Sequence, residues 1–153
     1  MPAKSSTSPV DKTRAIAGCT CFKLRGVARR VTQSYDRFMQ ESGLKITQFS
    51  LLGNLRYGDA LSVSALAEKM AMDRTTLTRN LKPLEQAGLV AVIEGPDRRT
   101  KTVVITTAGK NAFRQAMPCW KKAQENLVET LGEETVLQLH ALLDASIGRI
   151  GGA

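Results

Sequence analysis

The sequence predicts a mainly α-helical fold with one small β-hairpin, and three observations carry that expectation. Apolar residues recur at spacings of three and four along most of the chain, which places them on one face of successive helices. Two short β-branched runs, Leu89–Ile93 and Thr102–Ile105, bracket Gly95-Pro96-Asp97-Arg98-Arg99, a stretch that breaks regular structure and so forms a hairpin tip. Of the 153 residues, 42% are hydrophobic and 24% charged, the balance of a chain that folds around one core.

Met1–Lys12 is polar, rich in Ser, Thr and Pro, and lacks the apolar segment of a secretory signal. Residues 1–12 are therefore expected to be a disordered leader and residues 13–153 a single domain. Leu24, Val27, Ala28, Val31, Tyr35, Phe38 and Met39 line one face of a first helix, expected over Ile16–Glu41 and stopped by Ser42-Gly43. Thr47 is the expected N-cap of a second helix carrying Phe49, Leu51, Leu52 and Leu55. Ser62 caps a short third helix, Val63–Met70, with Leu66, Ala67 and Met70 inward. After a turn at Ala71–Asp73, Asp73 caps a fourth helix that buries Leu77, Leu81 and Leu84 and ends at Gly88 in a left-handed cap. Beyond the hairpin, Thr106 or Thr107 starts a fifth helix with Phe113, Ala116 or Met117, Trp120, Gln124, Leu127 and Leu131 at nearly heptad spacing. Gly132 breaks it, and a sixth carries Val136, Leu139, His140, Leu143, Ile147 and Ile150. Pro83 and Pro118 each remove a backbone donor inside a helix, where a kink is expected.

The order helix, turn, helix, strand, basic hairpin, strand is that of a winged helix–turn–helix. In that motif the second helix enters the DNA major groove with its N-terminal side chains on the base edges. Here it opens Arg74-Thr75-Thr76-Leu77-Thr78-Arg79, with Arg74, Thr75, Thr78 and Arg79 in one outward sector. Arginine binds guanine through two hydrogen bonds, and threonine offers a hydroxyl to phosphate and a methyl to thymine. An Arg/Thr-bearing helix is by itself better explained as a solvated face than as a DNA-reading one. The basic hairpin one strand later changes that reading, because arginines at a hairpin tip suit a narrow minor groove. The candidate DNA contacts are Ser62, Ser64, Arg74, Thr75, Thr76, Thr78, Arg79, Lys82, Asp97, Arg98, Arg99 and Lys101. Asp97 is expected to pair with an arginine, since an acid facing DNA directly repels phosphate. The formal net charge of +8 and a pI near 9.8 agree with a polyanionic partner. No apolar run approaches the roughly 20 residues of a membrane span, so no membrane role is expected.

Over about Cys21–Ile150 the chain resembles the MarR (multiple antibiotic resistance regulator) family. The residues that carry the resemblance are Ile46-Thr47-Gln48-Phe49, Leu66-Ala67-Glu68-Lys69, Met72 to Arg79, Leu84 to Val90, the wing Asp97-Arg98-Arg99-Thr100-Lys101, and Ile105-Thr106 with Gly109. The resemblance implies a winged helix–turn–helix over about 47–107 and dimerisation helices over about 16–42 and 107–150. It further implies a cytoplasmic homodimer on a palindromic operator of double-stranded DNA, a repressor released by a small molecule or by oxidation. The long apolar seams of the first, fifth and sixth helices independently call for a partner, since they exceed what a small winged domain buries. An architectural, non-specific DNA-binding protein is the alternative.

For the signal, the resemblance places a phenolic or aryl-acid effector between the dimerisation helices and the winged domain, near Phe49, Leu52, Arg56 and Tyr57. The redox candidates are Cys19 and Cys21, near a helix N-terminus with Lys23 and Arg25 close by, and Cys119. Cys21-Phe22 with Cys119 resembles the arrangement in the organic-hydroperoxide-sensing branch of that family; as plain residues, cysteines are also small apolar core members. An odd cysteine count argues for a reducing compartment rather than a disulfide framework. His140 is the single histidine, and the cysteine spacing lacks a zinc pattern, so no metal and no cofactor is expected. No nucleophile–base set or phosphate-cradling glycine loop points to an enzyme.

Overall fold

Among the described residues, six α-helices and a three-stranded antiparallel sheet follow in the order α1 (Thr20–Met39), α2 (Ile46–Leu55), β1 (Leu61–Ser62), α3 (Val63–Lys69), α4 (Arg74–Gln86), β2 (Val90–Glu94), β3 (Lys101–Ile105), α5 (Thr107–Leu131) and α6 (Glu133–Ile150). The computed structural model describes residues 18–57, 60–95, 97 and 100–150. The expected leader and Ile16 lie outside the described residues, as do Pro96, Arg98 and Arg99 of the hairpin tip.

Helix α1 (Thr20–Met39) starts with Cys19 at its N-cap and passes into a 3-10 turn, Gln40–Ser42, that ends on left-handed Gly43. Its apolar face is buried only at its C-terminal end, by Tyr35 and Met39; Leu24 and Val27 remain about half exposed. The buried Tyr35 hydroxyl donates to Gln124 of α5, and burial pushes its phenol pKa up. Helix α2 (Ile46–Leu55) begins earlier than its sequence suggested, with Lys45 and not Thr47 at the cap. Two side chains take the free amides there: Gln48 Oε1 accepts from Lys45 N–H at 2.9 Å and Asp36 Oδ1 from Ile46 N–H at 2.8 Å. Thr47 is left exposed in the first turn.

Helix α3 (Val63–Lys69) is capped by Ser62, whose hydroxyl accepts from Ala65 N–H at 3.0 Å, and α4 (Arg74–Gln86) by Asp73. The two helices end alike. In α4, Gly88 N–H donates to Glu85 and Leu89 N–H to Leu84; in α3, Ala71 N–H donates to Glu68 and Met72 N–H to Ala67. Both are Schellman caps, which need a left-handed residue after the last turn. Gly88 takes φ 69° freely, whereas Ala71 takes φ 50° with a side chain in the way.

The sheet has the order β1-β3-β2. Strand β2 (Val90–Glu94) pairs with β3 (Lys101–Ile105) in the register Val90–Ile105 to Glu94–Lys101, each displaced or extended by one residue from expectation. The two-residue β1 (Leu61–Ser62) adds to the far edge of β3, a strand too short to leave a periodic signal.

Helix α5 (Thr107–Leu131) is capped by Thr106, runs through Pro118 and ends at Gly132 with φ 83°. Its buried stripe is Gly109, Phe113, Ala116, Cys119 and Ala123, so the burial follows the helical period rather than the expected heptad through Leu127 and Leu131. Helix α6 (Glu133–Ile150) buries Val136 alone; His140, Leu142, Ile147 and Ile150 are exposed. The core therefore sits where α2, α3, α4 and the sheet close against the first half of α5, around Leu51, Leu52, Leu66, Leu77, Leu84 and Val103. Among the described residues, no helix is long and apolar enough to cross a membrane.

Candidate nucleic-acid interface and the adjoining cleft

Asp73 organises the start of α4. Its Oδ1 accepts from Thr76 N–H at 2.8 Å and its Oδ2 from the Thr76 hydroxyl at 2.6 Å, and these bonds, the hydroxyl's first, hold the carboxyl below the usual Asp range. The cap faces the residues that follow outward. Leu77, Leu81 and Leu84 are buried, so Arg74, Thr75, Thr78, Arg79 and Lys82 are exposed and, with Glu85, line one open hollow of about 680 Å³. Thr78 donates its hydroxyl to the Arg74 carbonyl at 2.8 Å, which fixes its rotamer and leaves its methyl free.

The other expected contacts divide by place. Thr76 is half buried with its hydroxyl spent on Asp73, and Ser62 is half buried with its oxygen accepting at the α3 cap. Ser64 is exposed in the first turn of α3. Lys101 opens β3 and joins Arg74 and Thr78 in a groove of about 410 Å³ between α4 and the wing. Thr100 N–H and hydroxyl both donate to the Asp97 carbonyl at 2.8 Å, and Gly95 N–H donates to Thr100 at 2.7 Å, which closes the base of the tip. Asp97 is exposed; the expected pairing with an arginine concerns Arg98 and Arg99, outside the described residues. The groove also holds Glu85, Glu94 and the half-exposed Ile93, none of them among the sequence candidates. Glu85 was legible in principle, because it lies two turns from Thr78 on the same face.

A third concavity, of about 370 Å³, lies between α2, the end of α3 and α5. Phe49 is its floor, stacked on Phe113 at 4.5 Å and on Trp120 at 5.9 Å between ring centroids. The Arg56 guanidinium lies 4.5 Å from the Tyr57 ring centre and 5.3 Å from that of Phe113, and it donates to the Tyr57 hydroxyl at 2.5 Å. Of the four residues expected here, Phe49, Arg56 and Tyr57 line the cleft. Leu52 does not: it is fully buried, because four-residue steps from Phe49 reach Gly53 and then Tyr57, while Leu52 turns into the core. Lys69, Phe113, Met117 and Trp120 complete the lining from elements distant in sequence. Cys119 is buried in α5, Cys19 half buried and Cys21 exposed, and all three are free thiols. Among the described residues, no cluster of three His, Cys, Asp or Glu side chains is placed to hold a metal ion.

Residues 47–93 match the family described as a helix-turn-helix domain. A Bacillus cereus HTH-type transcriptional regulator is 29% identical over 133 residues, covering 86% of this chain and 89% of that protein. The solved structure of the transcriptional regulator MosR of M. tuberculosis, in complex with DNA, superposes with a TM-score of 0.74 at 35% identity, covering 86% of this chain and 98% of that one. A MarR-family regulator from Rhodococcus sp. RHA1 shares the fold, with a TM-score of 0.72 at 22% identity over 86% of this chain and 94% of its own. The fold and the surface of α4 define a winged helix–turn–helix DNA-binding transcriptional regulator. The chain belongs to the MarR family.

Proposed function

We propose that the protein is a cytoplasmic homodimeric repressor that binds a palindromic DNA operator and leaves it in response to a small aryl acid or to cysteine oxidation. The observation that carries this reading is the cap at Asp73, which turns five exposed polar and cationic side chains of α4 to one side, next to the wing. In it, Arg74 and Arg79 read base edges, Thr75, Thr78 and Lys82 hold phosphates, and the wing with Arg98, Arg99 and Lys101 follows the adjacent minor groove. Ser64 contacts the backbone from α3, while Ser62 and Thr76 act through the caps they form. The domain is taken to be residues 13–153, with the winged unit over 47–107. Phe22, Leu24 and Val27 on α1, with Leu142, Ile147 and Ile150 on α6, supply the apolar faces that a second copy covers.

For release, the aromatic floor of the cleft with Arg56 and Lys69 beside it suits a flat anionic ligand. The exposed Cys21, two residues from Cys19, supports the oxidative route: a hydroperoxide oxidises one thiol to a sulfenic acid, and a second thiol condenses with it, losing water.

The test is a gel-shift titration on the region upstream of the protein's own gene. Arg74→Ala and Arg79→Ala are expected to lose about 1–3 kcal/mol in a base-dependent manner. Arg99→Ala should weaken all sequences alike and reduce the salt slope by about one. Unchanged affinity in all three variants would sink the assignment. Steep salt dependence with equal affinity for random DNA would favour the architectural alternative. Release by cumene hydroperoxide that persists in Cys21→Ser, or is not reversed by dithiothreitol, would dispose of the oxidative route.

A further inference from the structure

The two residues that follow the C-cap of α4 are bonded directly to Thr106, the N-cap of α5. Thr106 N–H donates to the Leu89 carbonyl at 3.1 Å, and the Thr106 hydroxyl reaches the Gly88 carbonyl at 2.7 Å and that of Leu89 at 3.1 Å. The same hydroxyl oxygen accepts from Gly109 N–H at 3.0 Å as the α5 cap. There is no clearance: a Cβ on Gly109 would stand 2.0 Å from the Leu89 carbonyl oxygen and 2.8 Å from Ile105. Gly88 and Leu89 are themselves the residues that close the Schellman cap of α4. The Leu89–Thr106 pair continues the β2–β3 ladder one step beyond Val90–Ile105, so the residue that follows the α4 cap and the N-cap of α5 face each other across the base of the wing.

A threonine serving α5 alone would need only its bond to Gly109. Its reach across 18 residues to Gly88, and the bare glycine that lets the backbones touch, add nothing to the helicity of α5. They lock the direction of α4 to that of α5, a helix of 25 residues that packs along α1. We infer that this joint, centred on Thr106 and Gly109, is a positioning device that holds the recognition helix at a set angle to the dimerisation helices and so makes the dimer demand one half-site spacing. The inference rests on the dimeric DNA-binding reading above. One base pair inserted between half-sites moves them by about 3.4 Å and turns them by about 35°. A stiff joint rejects that change and a loose one absorbs it.

The experiment uses the full-length protein and a palindromic duplex selected by the wild type from random DNA, with versions carrying one base pair more or fewer between half-sites. The wild type is expected to bind the altered duplexes about tenfold or more weakly. Thr106→Val, which keeps the shape and loses the hydroxyl, is expected to narrow that ratio to less than about threefold. It should also bind the selected duplex more weakly, with affinity for a single half-site unchanged. Thr106→Ser restores the ratio. Gly109→Ala, which forces the joint apart sterically, narrows it as Thr106→Val does. A wild type indifferent to spacing overturns the dimeric reading itself. A discriminating wild type with folded Thr106→Val and Gly109→Ala variants that discriminate equally well overturns the joint. Loss of folding in both variants, seen by circular dichroism, also overturns it, since the joint is then a requirement of folding and not of spacing.

Discussion

Ala71 is the backbone position whose substitution has the clearest sign. It occupies the C′ position of the α3 Schellman cap at φ 50°, the single non-glycine residue with positive φ among the described residues. An L-residue in that region is disfavoured by about 1–2 kcal/mol, because its Cβ crowds the following carbonyl. The side chain is exposed and contributes little packing to set against this. Ala71→Gly removes the strain but gives the unfolded chain about 0.4–1 kcal/mol of extra entropy. The balance is a gain of roughly 0.5–1 kcal/mol. For a chain of this length that raises Tm by about 1–4 °C. The reverse change, Gly88→Ala at the matching position of α4, meets no atom within 4 Å of the new Cβ but places it at φ 69°, and should cost about 1 kcal/mol. Thermal and urea melts at one fixed protein concentration would measure both, since a dimer's Tm depends on concentration. A lower Tm for Ala71→Gly, or an unchanged one for Gly88→Ala, would refute the reasoning from left-handed caps.

Two further predictions concern the same domain. Leu66→Ala empties a fully buried site beneath the helix–turn–helix and should cost about 2–5 kcal/mol in urea unfolding; a loss below about 1 kcal/mol would mean that the site collapses around the smaller side chain. The bonds from Thr76 lower the folded pKa of Asp73, so the stability they give is present above the unfolded Asp value and is lost as pH falls through the folded one. Asp73→Asn keeps an acceptor without the charge, so the wild type's advantage over it should shrink as pH drops below about 4. An advantage equal at pH 7 and pH 3 would show that the ionised carboxylate is not the source.

The sequence by itself determined the features that local chemistry dictates. The caps at Ser62 and Asp73, and Thr106 as one of two candidates, are legible because a short side-chain oxygen before an apolar-periodic run can satisfy free helix amides without help from elsewhere in the chain. Gly88 and Gly132 likewise mark helix ends. The outward sector of α4 follows from helical periodicity once Leu77, Leu81 and Leu84 are assigned inward. Residues brought together from afar were decided by tertiary structure alone. Lys45 displaced Thr47 as the α2 cap because Asp36, from another helix, takes the next amide. The cleft gained Phe113 and Trp120 and lost Leu52, since which side of α2 faces α5 depends on packing across sixty residues of chain. The Thr106–Gly88 bond is of the same kind: a threonine announces a cap, but only the folded chain brings a second helix end within its reach.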